Sequence, residues 1–105
     1  MEIVTLEDLK RRVKIANAGG KNIIIAYYAD WCGACKAFAP IYERIARGNP
    51  SIVFLRANVD KATDLVAKAK VRAMPTVQAF VRGTRVEEFS GASEKSLAAM
   101  VAKYK

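Results

Sequence analysis

The distribution of apolar residues along the chain predicts two strands that are buried on both faces. Residues 22–29 (NIIIAYYA) and 52–59 (IVFLRANV) are runs made mostly of apolar, β-branched and aromatic residues. Such runs are typical of strands covered by helices on both sides, because neither face of the strand meets water. A weakly alternating stretch at 2–5 is interpreted as a further, short strand.

Two longer segments have apolar residues at helical spacing. The first predicted helix begins after Thr5, whose hydroxyl is suited to cap its first turn, and runs to about Asn17. The second begins just beyond Cys32 and contains Pro40, which removes one backbone hydrogen bond and is expected to kink the helix. The apolar positions are Leu6, Leu9, Val13 and Ala16 in the first helix and Ala34, Phe38, Ile41, Tyr42 and Ile45 in the second.

The remaining segments complete the pattern of an α/β fold. Residues 60–70 predict a short helix capped by Asp60, and a last helix follows Ser93. Strands at 76–82 and 85–89 are separated by Gly83 and Thr84 and are close enough to pair as an antiparallel hairpin. The order β-α-β-α-β-α-β-β-α favours a central mixed five-stranded sheet flanked by four helices.

The length and charge of the chain indicate a single domain and argue against a nucleic-acid-binding protein. With 105 residues, 52% of them hydrophobic, we expect a single domain over 1–105 with a core of its own. The net charge is +8, and the densest basic cluster is KRRVK at 10–14. Because this cluster lies on the first amphipathic helix, we interpret it as a solvated face that favours acidic protein partners, and predict no nucleic-acid partner. Arg56 and Asp64 are likewise interpreted as solvated surface.

Both cysteines lie in the segment DWCGACK at 30–36, and their spacing alone fits a metal site, a structural disulfide or a redox pair. A zinc site needs four ligands, whereas the chain has two cysteines and no histidine, so no metal is predicted. The lack of histidine also excludes Cys-His and Ser-His catalysis. A disulfide between Cys32 and Cys35 would close a very small loop and add little stability. A redox pair is therefore the favoured interpretation.

The N-terminal segment and the longest apolar run predict an intracellular protein without a membrane partner. The sequence MEIVTLEDLK is acidic and amphipathic, unlike a signal peptide. The run IIIAYYA at 23–29 is too short to span a bilayer. We expect a cytoplasmic protein, in a compartment where thiols are kept reduced.

The two cysteines fall between the end of a buried strand and the first turn of a helix. Backbone amides and the helix dipole at such a position stabilise a thiolate. Cys32, nearer the helix end, is predicted to be the exposed thiol of lowered pKa, and Cys35, one turn further, the buried one. Lys36 is expected to add positive charge, and Gly33 to let the backbone bend between the cysteines.

This segment resembles the active-site segment of the thioredoxin family, and the resemblance extends over nearly the whole chain. The M-P-T and F-S-G-A sequences are most similar to thioredoxins of eukaryotic type. The segments that carry the resemblance are 28–36 (YADWCGACK), 58–60 (NVD), 71–76 (VRAMPT), Gly83 and 88–92 (EFSGA).

The resemblance implies the thioredoxin fold and a monomeric protein-disulfide reductase. Cys32 would attack a disulfide in a target protein, and Cys35 would resolve the mixed disulfide. No bound cofactor is implied, since the Cys32–Cys35 disulfide is itself the redox group, and electrons are expected from NADPH through a thioredoxin reductase. Pro75 would follow a cis peptide bond. The implied substrate-docking residues are Trp31, Met74, Pro75, Thr76, Gly91 and Ala92.

Three positions depart from the usual pattern of the family. Ala34 replaces a proline between the cysteines, which is expected to make the dithiol less reducing. Ala26 replaces a buried acid, so we expect slower resolution by Cys35 or proton transfer to water or substrate. Tyr28 replaces the commoner tryptophan and is interpreted as packing. Two alternatives stay open: a more oxidising, isomerase-like or single-partner protein, and a non-catalytic interaction scaffold.

Overall fold

The computed structural model describes all residues from 1 to 105. Strands and helices follow one another in the predicted order, and none of the four helices combines the length and apolar character needed to cross a membrane. The strands are Glu2–Ile3 (β1), Asn22–Tyr28 (β2), Ile52–Asn58 (β3), Thr76–Val81 (β4) and Thr84–Ser90 (β5), and the helices are Leu6–Ala18 (α1), Gly33–Arg47 (α2), Thr63–Ala69 (α3) and Glu94–Tyr104 (α4).

The strands form one sheet in the order β1-β3-β2-β4-β5. β1, β3 and β2 run parallel, whereas β4 is antiparallel to both β2 and β5. This arrangement confirms the predicted mixed five-stranded sheet. Because β2 and β3 are parallel neighbours, the loops that follow them emerge at the same edge of the sheet, and both cysteines lie at that edge.

β2 lies inside the sheet and is covered by helices on both faces. Successive side chains of a strand point to opposite faces. Ile23, Ile25 and Tyr27 accordingly pack in a cluster with residues of α1 and α3. Ile24 and Ala26 pack in a second cluster with residues of α2 and α4. Coverage on both sides explains why the sequence of β2 is apolar without interruption.

Two helix boundaries follow the predicted cap residues, and a third departs from the prediction. The hydroxyls of Thr5 and Ser93 cap α1 and α4 as predicted. Pro40 lies inside α2, which was also predicted from the sequence. The prediction that Asp60 caps α3 is wrong, because α3 begins only at Thr63.

The interpretation as solvated surface is confirmed for Asp64, which is exposed, but is wrong for Arg56, which is only partly exposed. Both side chains also have partners within the protein that the sequence did not predict. The guanidinium of Arg56 lies 4.2 Å from the centroid of the Tyr28 ring and 3.6 Å from a carboxylate oxygen of Glu2. The carboxylate of Asp64 accepts a hydrogen bond from the amide of Leu6, with N···O distances of 3.2 and 3.1 Å to its two oxygens. Asp64 therefore gives a partner to an amide at the start of α1 that has none within the helix.

β4 and β5 form the predicted hairpin, but its turn lies one residue earlier than expected. Thr84 pairs with Val81, so the turn residues are Arg82 and Gly83. Their φ angles of 51° and 80° are left-handed, as two-residue hairpin turns commonly require. Thr84 therefore belongs to β5.

The buried hydroxyl of Tyr42 connects α2 to the sheet. It lies 2.7 Å from the carbonyl oxygen of Leu55 and 3.0 Å from that of Ile24, and it donates its one hydrogen between them. We expect Tyr42→Phe to lower the free energy of unfolding, measured with urea, by about 1–2 kcal/mol. Tyr104→Phe is the matched control, since that hydroxyl meets Glu87 nearer the surface, and it should cost much less. Equal losses in the two variants would contradict a specific role for the buried hydroxyl.

Candidate active site

Cys32 and Cys35 lie where the chain leaves β2 and enters α2. Cys32 is the N-cap residue of α2, and its Sγ accepts a hydrogen bond from the backbone amide of Cys35 at 3.2 Å. The hydrogen bond is possible because the first amides of a helix have no partner within it. Both cysteines are free thiols. The sequence placed this pair correctly at the junction of strand and helix.

Hydrogen bonds favour the thiolate form of Cys32, which is partly exposed. The pKa of Cys32 is lowered chiefly because the Cys35 thiol donates a hydrogen bond to its sulfur. The backbone amides of Cys35 and Ala34 lower this pKa further, whereas partial desolvation raises it. The side chain of Lys36 is exposed. The causes that lower the pKa of Cys32 are hydrogen bonds from the cysteine pair and the helix end, and a contribution of the Lys36 charge stays a prediction.

Cys35 has the opposite environment. It is 5% exposed and packs beneath the first turn of α2. Burial, and then its hydrogen bond to Cys32, raise the pKa of Cys35 to about 11. At neutral pH the pair therefore consists of one accessible sulfur that ionises readily and one enclosed sulfur that keeps its proton.

This difference predicts the pH dependence of alkylation. Only a thiolate reacts rapidly, so the rate of Cys32 modification should rise with pH and level off above its pKa. Since that pKa is lowered, the midpoint should fall below that of a free cysteine peptide measured under the same conditions. Iodoacetamide labelling followed by mass spectrometry should detect one modified thiol per chain below pH 9.

A Cys35→Ala variant, which has no side-chain donor, is the control for that measurement. It removes the thiol hydrogen bond that contributes most to the lowered pKa of Cys32. The midpoint for Cys32 should therefore move to higher pH while the amide hydrogen bonds remain. A midpoint at or above that of free cysteine in the unmodified protein, or faster labelling of Cys35, would contradict the assignment.

The exposed indole of Trp31 is fixed beside the cysteines by a residue that sequence reasoning missed. Trp31 is 68% exposed, and its Nε1 donates a hydrogen bond to a carboxylate oxygen of Asp60 at 2.9 Å. Asn58 fixes the same loops, since its amide donates to Asp30 at 3.2 Å and its carbonyl accepts from the Asp60 backbone at 2.9 Å. The pairing follows only once β2 and β3 are known to be parallel neighbours, because the residues that follow them then lie at the same edge of the sheet.

The loop before β4 closes the other side of the site. The Met74–Pro75 peptide bond is cis, as the resemblance implied. The carbonyl oxygen of Met74 lies 3.9 Å from Cys32 Sγ. The carbonyl of Pro75 accepts a hydrogen bond from the amide of Gly91 at 2.8 Å. Gly91 has φ 102°, a left-handed value. These contacts bring three separate sequence segments together around one sulfur.

A family-wide sequence profile, that of Thioredoxin, matches residues 2–103 of the chain. The chain belongs to the thioredoxin family. Proteins of this family are thiol–disulfide oxidoreductases that reduce protein disulfides, and this protein is one of them. They need no bound cofactor, and no group of three or more His, Cys, Asp or Glu side chains is placed here to hold a metal ion.

Individual thioredoxins match over almost their full length. That of Coprinus comatus is 38% identical over 103 residues, which cover 96% of each chain. That of Ophiophagus hannah is 37% identical over 93 residues, or 89% of each chain. The X-ray structure of Fasciola hepatica thioredoxin superposes with a TM-score of 0.91 at 34% identity, covering 99% of this chain and 98% of that one. A poplar thioredoxin h gives 0.92 at 30% identity, covering 97% and 92%. These matches confirm the thioredoxin fold.

The residues that the family resemblance assigns to substrate docking differ in accessibility. Trp31 and Ala92 are exposed, and Met74 and Gly91 are partly exposed. Pro75 and Thr76, in contrast, are buried. The hydroxyl of Thr76 is used internally, where it donates to the Ala73 carbonyl. Side-chain contact with substrate is therefore not available at these two positions, and only their backbone remains for that role.

Gly33 does not have the conformational role that the sequence suggested. It is the first residue of α2 and its φ is outside the left-handed region. A Cβ built on Gly33 would have no neighbour within 4 Å. The expectation that glycine is needed for a tight bend is wrong, and the lack of a side chain leaves the backbone open beside Cys32.

The environment of Cys35 contains no acid at the position where most thioredoxins have one. Ala26 is 4% exposed, and it lines a small cavity of about 10 Å³ together with Cys35 and Phe38. Such a volume holds at most one water molecule. The charged group that borders the same cavity is the guanidinium of Arg56, from the residue paired with Ala26 on β3. A positive group cannot accept the proton of Cys35 as a carboxylate would.

Proposed function

We propose that Cys32 is the nucleophile and Cys35 the resolving cysteine of the disulfide reduction. The Cys32 thiolate attacks one sulfur of a target disulfide, forms a mixed disulfide and releases the other target sulfur as a thiolate. Cys35 then loses its proton and attacks Cys32 Sγ, which forms the Cys32–Cys35 disulfide and releases the second target sulfur. Two electrons pass from the protein to the target, and two target thiols result.

The observation that carries this assignment is the contrast between the two thiols. Cys32 is partly exposed with a lowered pKa, which suits a nucleophile that must meet a large substrate at neutral pH. Cys35 is buried with a raised pKa, so it stays protonated until the mixed disulfide has formed. Serine replacements of the two cysteines test the assignment and are argued in the Discussion.

The docking surface proposed for target proteins consists of Trp31, Met74, Gly91 and Ala92. Its support is their accessibility and the 3.9 Å contact between Met74 and Cys32. The fixed indole of Trp31 offers a broad apolar contact on one side of Cys32, and the loop of Met74 supplies backbone groups on the other. An extended segment that contains the target disulfide fits between them.

We infer that the Cys32–Cys35 disulfide is returned to the dithiol by NADPH through a thioredoxin reductase, in the cytoplasm. The family supports this proposal, as does the need for a compartment that keeps thiols reduced. NADPH consumption in the presence of a purified thioredoxin reductase and a disulfide-bonded protein tests it. No consumption, while dithiothreitol still supports reduction of the same protein, would point to another reductant.

A monomer is proposed for the functional state. The exposed large apolar side chains lie on separate segments of the chain, which gives little basis for a permanent interface. They are Met1, Val4, Ile15, Trp31 and Val86. Light scattering that gave twice the mass of 11.5 kDa would contradict a monomer.

A more oxidising member of the family is the second candidate, and Ala34 favours it. The amide of Ala34 helps to lower the pKa of Cys32, and a proline at this position has no N–H to do so. Stabilising the thiolate stabilises the reduced form and makes the pair less reducing. We therefore expect a potential less negative than the value of about −270 mV of thioredoxin itself.

Measuring the reduction potential of the Cys32–Cys35 pair tests this expectation. The protein is equilibrated in glutathione buffers, its free thiols are alkylated, and the alkylated fraction is determined by mass spectrometry. Ala34→Pro should shift the potential to more negative values by roughly 30 mV. Ala34→Gly keeps the amide, so it is the matched control and should stay near the unmodified protein. A shift with glycine as large as with proline would mean that the amide is not the cause.

A further inference from the structure

A large cavity lies away from the cysteines. It has a volume of about 520 Å³ and opens between α1, α3 and the β4–β5 hairpin. This size falls in the range of about 300–1,000 Å³ that is usual for small-molecule sites. Its apolar walls include Leu9, Val13, Leu65 and Phe80. None of the proposed docking or catalytic residues lines it, so it is separate from the disulfide chemistry.

Two buried polar atoms at this cavity have no partner in the protein. They are the hydroxyl oxygen of Tyr27 and the side-chain carbonyl oxygen of Gln78, and both side chains are fully buried. The nitrogen of Gln78 is bonded, since it donates to Glu88 at 2.9 Å. Burial raises the pKa of Tyr27, so its hydroxyl keeps the proton and can donate. An unpartnered buried polar group costs about 1–3 kcal/mol, and a ligand hydroxyl would supply a partner to both atoms.

The walls of the cavity include four cations and no carboxylate. Lys10, Lys68, Lys70 and Arg85 surround its opening. Lys68 and Lys70 have no ion-pair partner, whereas Lys10 has a distant one in Glu7, and Arg85 in Glu88. This distribution attracts an anionic group to the opening rather than to the apolar interior.

We propose that this cavity binds a small amphipathic anion: an apolar, preferably aromatic body with a carboxylate at one end and a hydroxyl at the other. The carboxylate meets Lys68 and Lys70 at the opening. The body packs against Leu9 and Phe80. The hydroxyl reaches the floor, where it donates to the Gln78 carbonyl and accepts from the Tyr27 hydroxyl. The chemistry of this site does not depend on the roles assigned to the cysteines.

The test uses three related probes and the full-length protein. 4′-Hydroxybiphenyl-4-carboxylate has all three features, biphenyl-4-carboxylate lacks the hydroxyl, and 4-phenylphenol lacks the carboxylate. Affinities are measured by titration calorimetry. Gln78 is the single glutamine of the chain, so labelling glutamine with ¹⁵N provides NMR signals from the floor of the cavity alone. The hydroxy acid should bind with 1:1 stoichiometry and shift these signals, and each of the other probes should bind roughly tenfold more weakly.

Charge-reversal variants test whether the lysines at the opening of the cavity bind the carboxylate of the probe. Lys68→Glu and Lys70→Glu should each weaken binding of the hydroxy acid by roughly tenfold. Lys95→Glu makes the same change of charge on α4, outside the cavity, and should weaken it less than about twofold. Cys32→Ser should leave the affinity unchanged, which separates this site from the disulfide chemistry.

Several results would overturn the proposal. One is the absence of saturable binding by all three probes. A second is binding that leaves the Gln78 signals unmoved, and a third is an equal loss of affinity in the Lys68→Glu and Lys95→Glu variants, which would indicate general attraction to a basic protein. Tighter binding of 4-phenylphenol than of the hydroxy acid would exclude the anionic class.

Discussion

Replacing Cys32 with serine is expected to reduce the rate of protein-disulfide reduction by a factor on the order of 10³ or more. A serine hydroxyl ionises far less readily than a thiol and forms no bond equivalent to a disulfide, so the first step of the reaction is lost. The measurement is the rate at which free thiols appear in a disulfide-bonded test protein, with a thioredoxin reductase and NADPH as the source of electrons. The fold should persist, because Cys32 is only partly buried.

Replacing Cys35 should have a different consequence, although turnover is also lost. Cys32 can still attack the target, but the mixed disulfide has no internal thiol to resolve it. A covalent complex of this protein with the target should accumulate in non-reducing electrophoresis and disappear on addition of dithiothreitol. The double variant, with serine at both positions, is the control and should form no complex.

Each outcome that opposes this assignment has a definite meaning. If Cys32→Ser kept its turnover, Cys32 would not be the nucleophile. If Cys35→Ser turned over at the normal rate without added small thiols, Cys35 would not be the resolving group. If neither substitution altered the physiological role of the protein or the partners it binds, the docking surface would act as a scaffold, the alternative that the sequence alone left open.

Local signals in the sequence were sufficient to predict most of the fold. The apolar run in β2 and the cap residues Thr5 and Ser93 each act over a few residues, and the structure contains all three features where they were expected. The junction of β2 with α2 followed from the same signals. The difference in pKa and exposure between Cys32 and Cys35 could be predicted from this junction, because the amides and dipole at a helix N-terminus stabilise a negative charge on the nearest residues.

Several contacts that the sequence did not predict join side chains to partners that are distant in the sequence. Asp60 looks like a helix cap when only its neighbours are considered, yet it is bonded to Trp31, 29 positions away. Asp64 is exposed as predicted, yet its hydrogen bond with Leu6, 58 positions away, was not predicted. Single-sequence patterns contain no information about such pairs until the sheet order is known. The order β1-β3-β2 supplies it, because it brings the loops after β2 and β3 together.

Ala26→Asp is expected to destabilise the protein strongly and in a pH-dependent way. Ala26 is 4% exposed, and the adjoining cavity of about 10 Å³ is too small for a carboxyl group. Overpacking alone should cost about 1–3 kcal/mol. Burial also raises the pKa of the new carboxyl in the folded state above the value of about 3.9 in the unfolded chain.

The sign of the pH effect follows from that difference. Well below the unfolded pKa of about 3.9 the carboxyl is neutral in both states, so only the overpacking cost remains. As pH rises above the unfolded pKa, the unfolded chain loses a proton that the folded protein keeps, and folding becomes progressively less favourable. The additional loss stops growing above the folded pKa and should then reach about 3 kcal/mol, if the pKa is raised by roughly two units. Urea denaturation from pH 4 to pH 8 measures this loss of unfolding free energy. The variant Ala26→Asn, whose side chain has the same shape without the charge, is the control, and its loss should not depend on pH.

The same variant tests how Cys35 loses its proton. In the unmodified protein no carboxylate is hydrogen-bonded to Cys35, whose pKa is raised to about 11, so we expect slow attack on the mixed disulfide. A carboxylate at position 26 can accept that proton and should accelerate resolution by up to about 10²-fold. The lifetime of the mixed disulfide, followed by acid quenching and mass spectrometry at a pH where the variant remains folded, gives the answer. A shorter lifetime in Ala26→Asp but not in Ala26→Asn would mean that alanine at position 26 makes the folded protein more stable but slows the resolution of the mixed disulfide by Cys35. An unchanged lifetime would mean that water or the departing target thiolate already removes the proton.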